Sequence, residues 1–218
     1  MHPTTPPDRW TIVVPLKGSA RGKSRIDVDP ALRRRLAVAM ALDTVAAASN
    51  TALVARVLVV VEDRVDGDRL SELPGVQTLL TRRSGLNEAV EEGLRSLVVD
   101  GPVAALPGDL PSLTPAELGA ALAAASVHRL AAVADRQGTG TTLLTGSSAA
   151  VLRPRYGSGS LARHVDGGAV LLELPVGSGL RRDVDQLADL AGVTGSRSLA
   201  VLTENGSAAP LCAAREAG

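Results

Sequence analysis

The chain has 218 residues, which suits one large domain or two small ones, and 45% of them are apolar, ample for a core. Its 23 basic and 23 acidic residues cancel, and its only aromatics are one Trp and one Tyr, which excludes the basic, base-stacking surface of a nucleic-acid binder. A single cysteine, Cys212, excludes an internal disulfide, and with three scattered histidines (His2, His128, His164) it offers no zinc cluster. No apolar run reaches the roughly 18 residues that a membrane helix needs, and the N-terminus has no apolar core of signal type. A cytoplasmic protein with no membrane partner is expected.

Residues 1–9 are polar and carry three prolines, the composition of a flexible arm. Residues 11–16 are a short apolar run, the form of a buried strand. A basic, glycine-containing loop follows. Pro30 then stands where a helix can begin, with Leu32, Leu36, Met40 and Val45 at near-helical spacing. Residues 57–61 and 76–80 repeat the strand pattern. Residues 85–98 are expected as a helix with Leu86, Val90 and Leu94 on one face. Residues 103–106 form a fourth strand that ends at Gly108-Asp109. Thr114 and Glu117 have the spacing of a capping box for a helix to about Ala125. This alternation predicts a parallel sheet with right-handed crossovers, whose ligands gather at the carboxyl ends of the strands.

The second half is less regular. Strands are expected at 130–133 and 142–144, flanking a turn over 135–141. A glycine- and serine-containing loop with one short helix follows at 157–168. A strand at 170–174 and a short helix at 185–190 come next. No repeat or linker divides the chain. The expected organisation is an arm over 1–9, one domain over 10–194 and a tail over 195–218.

Three separated stretches have the chemistry of one nucleotide site. The first is the basic loop over 15–25. Its Gly18, Gly22, Lys23 and Ser24 nearly match a P-loop, but three residues separate the glycines where four are needed. Pro30 also disfavours a helix directly after the loop. What remains is a solvated loop, or a phosphate site in which Lys17 and Lys23 supply point charge and Arg25 a fork. The second stretch is Leu106 to Pro111, where Asp109 is either a turn residue or a metal ligand. The third is Asp183-Val184-Asp185. In an extended segment that spacing puts both carboxylates on one face, a crowding that a cation or full solvation relieves. Asp185 has the alternative role of capping a helix near Gln186.

Two further loops, over 138–142 and 153–160, combine glycine amides with hydroxyls. They are either ordinary turns or donors to a small anion, with Arg155 and Arg163 nearby. Asn87 is either a helix cap or a ligand residue. Ser24 and Ser160 have no visible base partner, so no acyl-transfer triad is expected.

Pro15-Leu16-Lys17 with Lys23-Ser24-Arg25 resembles the first loop of the guanylyltransferases of coenzyme F-420 biosynthesis. Four further stretches are similar to the same family, in the same order. They are Gly85-Leu86-Asn87, Gly108-Asp109-Leu110-Pro111, Ala134-Asp135-Arg136 with Gly138-Thr139-Gly140-Thr141, and Arg181-Arg182-Asp183-Val184-Asp185. The resemblance runs from about Thr11 to Leu190. It implies an α/β, Rossmann-like fold of the GT-A-like nucleotidyltransferase type, a three-layer sandwich with a mostly parallel central sheet. It implies an enzyme that transfers GMP from GTP to the phosphate of phosphoenolpyruvate or 2-phospho-L-lactate, releases pyrophosphate and passes its product to a downstream transferase. The Ala/Arg/Val-rich, Lys-poor composition favours phosphoenolpyruvate, by analogy with how the family divides.

Residue by residue, the resemblance puts Leu16, Lys17, Lys23, Arg25, Gly85, Asn87 and Gly108 at GTP, with Lys17, Lys23 and Arg25 acting in catalysis. It puts Asp109, Asp183 and Asp185 on magnesium, two ions in all, and Thr141, Gly157 and Ser160 at the phosphoacid. Two rival readings are a molybdopterin guanylyl- or cytidylyltransferase, whose first loop carries more glycines, and a nucleotide-binding domain without catalysis.

Overall fold

The computed structural model describes residues 9–17, 26, 28–98 and 101–206. Its first half alternates strand and helix: β1 (Trp10–Leu16), α1 (Pro30–Ser49), β2 (Val54–Val61), α2 (Arg64–Ser71), β3 (Val76–Leu80), α3 (Leu86–Ser96), β4 (Val103–Ala105) and α4 (Pro115–Ala125). The second half contributes β5 (Leu130–Ala134), β6 (Thr141–Gly146), α5 (Ser160–Asp166), β7 (Val170–Leu171) and α6 (Ser196–Glu204). Two 3-10 turns lie at Gly179–Arg181 and Leu187–Leu190.

All seven strands join one sheet in the order β3-β2-β1-β4-β6-β5-β7. β1 lies parallel between β2 and β4, with Val13 level with Leu58 on one side and Ala105 on the other. β6 runs antiparallel to both β4 and β5, and β7 returns parallel to β5. This is the mostly parallel α/β sandwich that the sequence predicts.

Side-chain alternation along β1 divides the core into two layers. Trp10, Ile12 and Val14 face a larger cluster with Val45 of α1, Leu70 of α2, and Leu118 and Leu122 of α4. Val13 faces the other way, toward Val90 and Leu94 of α3. A third, smaller cluster lies outside the sheet and joins Leu36 and Met40 of α1 to Val184, Leu190 and Leu202.

Local chemistry accounts for the helix starts. Asp29 Oδ1 accepts from the amides of Ala31 and Leu32 at 2.8 and 3.2 Å, and Pro30 takes the first helical position of α1. Thr114 and Glu117 form the expected capping box of α4. The second Glu117 oxygen accepts from the Gly179 amide at 2.7 Å, so the cap also anchors a remote turn.

Several elements differ from expectation. α2 has a cap, Asp63, but buries only Gly67 and Leu70, too little for an apolar stripe. The strand expected at 170–174 is the two-residue β7, after which the Leu172 amide adds one bond to Ala132 O at 2.9 Å. The helix expected at 185–190 is a 3-10 turn. Beyond Gly195, where a tail is expected, α6 packs on α1. Asp43 of α1 is the reason. Its carboxylate is 8% exposed and accepts from the amides of Arg197 and Ser198 and from the Ser198 hydroxyl, at 2.7–3.1 Å. A side chain on α1 therefore caps α6, whose own N-cap residue is Gly195. Among the described residues, no helix is long and apolar enough to cross a membrane.

Candidate active site

Because β6 is antiparallel, its first residue, Thr141, lies at the same sheet edge as the carboxyl ends of β1, β4 and β5. An open cleft of about 1120 Å³ lies along that edge. Leu16, Lys17, Gly85, Asn87, Gly108, Asp109, Thr141, Gly157, Ser160, Asp183 and Asp185 all line it. The topology thus gathers site residues that span most of the chain. Lys23 and Arg25 lie outside the described residues.

On one side, β1 delivers Leu16 and an exposed Lys17. Gly108 follows β4 and packs against Leu16 so closely that a Cβ there would stand 2.1 Å from Leu16 Cδ2. The chain beyond Gly108 is pinned from α1. The Leu110 amide donates to the buried Thr44 hydroxyl at 3.0 Å, and that hydroxyl donates to Met40 O at 2.8 Å. Asp109 is thereby held half-buried at the cleft wall.

The second acidic segment is laid against the first. The Val184 amide donates to Asp109 O at 3.0 Å. Gly179 lies against the Ser112 carbonyl, where a Cβ would come within 2.0 Å of the oxygen. Arg181 braces the segment from behind, donating to Asp135 O at 2.9 Å and to Leu174 O at 2.9 Å. Val184 is 1% exposed and belongs to the third core cluster, so its neighbours Asp183 and Asp185 both reach the cleft. The one-face arrangement expected from their spacing is what the structure has. Asp185 is not the cap of the following turn. The N-cap is Gln186, and Asp189 of the first turn reaches back, its Oδ2 accepting from the amides of Asp185 and Gln186 at 3.1 and 2.8 Å.

The Asp183 carboxyl is pushed up to about 7, first by burial and then by the negative charges of Asp109, Asp185 and Asp135. A cation at this point would relieve the repulsion. Among the described residues, no three carboxylate, imidazole or thiol groups stand close enough to form a finished metal cage. Magnesium is usually held by one or two carboxylates, waters and substrate phosphates, so the donor set fits an ion completed by its substrate.

The opposite wall is built from hydroxyls and amides. Thr141 Oγ1 is 2.9 Å from His164 Nδ1 and accepts from Ser160 Oγ at 3.3 Å. The loop before α5 is fastened at several points. Asn87 does not cap α3, where Gly85 is the N-cap. Its amide instead clasps the backbone of Tyr156, with Tyr156 N donating to Oδ1 at 2.7 Å and Nδ2 donating to Tyr156 O at 3.2 Å. The Tyr156 hydroxyl donates to Ala105 O at 3.1 Å. Arg163 spends its guanidinium on the carbonyls of Arg155 and Ser158, at 2.6–3.2 Å, so it braces the loop.

The sequence pattern gives no role to Tyr156, His164, Arg181 or Asp189. A lone buried histidine or tyrosine carries no spacing pattern, and each of these side chains acts on backbone that is distant in sequence or folded back on itself.

The profile described as "Guanylyl transferase CofC like" matches residues 10–170. The chain belongs to that family. The phosphoenolpyruvate guanylyltransferase of Streptomyces coelicolor is 44% identical over 187 residues, spanning 84% of this chain and 88% of the relative. That of Thermomonospora curvata is 42% identical over 200 residues, spanning 88% of each. Among solved structures, a nucleotidyl transferase from Methanothermobacter aligns with a TM-score of 0.60 at 18% identity, covering 88% of this chain and 98% of the other. The 4-diphosphocytidyl-2C-methyl-D-erythritol synthase of Anaerococcus prevotii aligns at 0.57 and 11% identity, covering 91% and 96%. These structures share the nucleotidyltransferase fold. The chain is a nucleotidyltransferase of the guanylyl-transferring kind.

Proposed function

We propose that the chain is a phosphoenolpyruvate guanylyltransferase that acts in the cytoplasm, in coenzyme F-420 biosynthesis, and passes its product to a downstream transferase. The observation that carries this reading is a single cleft with acidic and basic groups on one wall and neutral hydroxyl and amide donors on the other. Such a site suits two anionic substrates, one of them metal-bound. Relatives at 42–44% identity over most of the chain bear the name of this activity, which turns the choice away from the molybdopterin-type transferases.

In this reading Leu16, Lys17, Gly85, Asn87 and Gly108 form the GTP side, and Lys23 and Arg25 of the basic loop add charge to the triphosphate. Thr141, Gly157 and Ser160 receive the phosphoacid. An oxygen of the acid's phosphate attacks the α-phosphorus of GTP in line. A new phosphorus–oxygen bond forms, the bond to the β-phosphate breaks, and pyrophosphate leaves. The attacking oxygen is already anionic at neutral pH, so no strong general base is needed and no covalent enzyme intermediate forms. Magnesium held by Asp109, Asp183 and Asp185 together with phosphate oxygens would neutralise the triphosphate and the departing pyrophosphate.

The test is pyrophosphate release from GTP and magnesium with phosphoenolpyruvate, with 2-phospho-L-lactate or with no acceptor. Release with phosphoenolpyruvate alone is expected. Release with 2-phospho-L-lactate alone would change the substrate, and release with neither would overturn the activity.

A further inference from the structure

The protonation pattern behind Thr141 has a consequence for the acceptor. The Arg155 backbone amide lies 2.9 Å from His164 Nε2. A backbone amide can only donate, so Nε2 carries no proton. Burial, and then the charges of Arg163 and Arg155, push the ring down to about 4, so it is neutral at neutral pH. Its one proton is therefore on Nδ1, and Nδ1 donates to Thr141 Oγ1 across 2.9 Å. Among the described residues, the ring packed against it is Tyr156, edge-on with centroids 5.3 Å apart.

Counting protons then decides what the wall offers. Thr141 and Ser160 share one hydrogen bond and own two hydroxyl protons. That bond uses one proton. If His164 accepted from Thr141, the second proton would be spent on the ring. Because His164 donates, the second proton is left over, and Thr141 and Ser160 both line the cleft. Phosphate and carboxylate oxygens are acceptors only, so a spare O–H is what such a ligand needs.

We propose that His164 is a positioning residue for the phosphoacid: fixed as the Nδ1–H tautomer by the Arg155 amide, it donates to Thr141 and leaves one hydroxyl proton of the Thr141–Ser160 pair for an anionic oxygen of the acid. The proposal rests on the acceptor assignment above and names a residue that never touches the substrate. The same ring holds Arg155, so it sets both the hydroxyl pair and the loop that carries Gly157.

Two substitutions separate these duties. His164→Asn keeps an N–H donor at the δ position and loses the acceptor for the Arg155 amide. His164→Gln keeps an acceptor at the ε position and loses the δ donor. For His164→Gln the phosphoacid KM is expected to rise about tenfold, the low end for one hydrogen bond to a charged group, with the GTP KM within about twofold of wild type. His164→Asn should stay closer to wild type in the acid KM. An unchanged acid KM in His164→Gln, or an equal rise in both KM values, would overturn the role.

Nitrogen-15 NMR of the histidine rings in the wild-type protein gives a readout independent of turnover and of variant folding. A protonated Nδ1 and bare Nε2 for His164 at pH 7 are expected, and the opposite tautomer overturns the proposal. A wild-type protein with no turnover on any phosphoacid would instead overturn the proposed function, together with the acid's part in this assignment.

Discussion

Asp183 is costly to ionise in the folded protein. Its pKa is raised from 3.8 to about 7 by burial and by three like charges, and this has a sign that can be worked out. The folded state holds its proton more tightly than the unfolded chain does. Its contribution to stability is therefore present in full below about pH 4, declines as pH rises, and is gone once pH passes about 7. Thermal melts of the metal-free protein should show this decline between pH 4 and 7. Asp183→Asn cannot ionise at this position, so the difference in Tm between variant and wild type should grow in the variant's favour across that window. A constant difference would refute the shifted carboxyl. In the proposed mechanism the cation that would relieve the repulsion is the one the reaction uses, so the same variant should lose about a thousandfold in turnover while keeping its fold. Activity within tenfold of wild type would remove Asp183 from the metal site.

Elements are where the sequence is most and least informative. β1, α1, α3 and α4 are legible because their signals are local: a short continuous apolar run, a stripe at helical period, or a cap three residues from its partner. The place of Asp109 is legible for a related reason, since a short motif at a strand end falls where α/β sheets collect ligands, whereas Asp183 follows the 3-10 turn at Gly179–Arg181 and is marked only by its two-residue spacing from Asp185. α6 is illegible because its cap is Asp43, 154 residues away from Arg197. Nothing near Gly195 marks a helix start, and only the fold brings the carboxylate there. His164 is hidden in the same way, since its partners Thr141 and Arg155 are joined by topology and not by spacing. The capping account of α6 is open to measurement. Asp43→Ala leaves two amides and a buried hydroxyl without their acceptor, a loss of about 2 kcal/mol, or about 4–8 °C in Tm for a domain of this size. An unchanged melting temperature would mean that the apolar contacts of Leu202 dock α6 by themselves. The docking matters to the site because Leu202 shares its cluster with Val184, the residue that turns both aspartates toward the cleft.

At the scale of the whole molecule, the proposed reaction requires the two walls of the cleft in register. In the proposed reading β1 and β4, with the Asp183–Asp185 segment laid against Asp109, carry the donor wall, while β6 and the loop before α5 carry the acceptor wall. Reversal of β6 brings Thr141 to the shared edge, but a sheet alone leaves that loop free to move. Asn87 supplies a tie. It stands on the segment expected at the nucleotide, and both polar ends of its side chain are used on the Tyr156 backbone, 69 residues on. A residue that touched GTP alone would, when truncated, raise only the GTP KM. A tie between the walls behaves differently, because the acceptor loop loses its position relative to the donor. Asn87→Ala should therefore lower kcat/KM for phosphoenolpyruvate by about tenfold, the value of one to two net hydrogen bonds, and should lower that for GTP as well. Initial rates measured with each substrate varied at saturation of the other decide the matter. A rise confined to the GTP KM would make Asn87 a simple nucleotide contact, and the coupling of the two walls would then have to come from Tyr156 and its bond to Ala105 O.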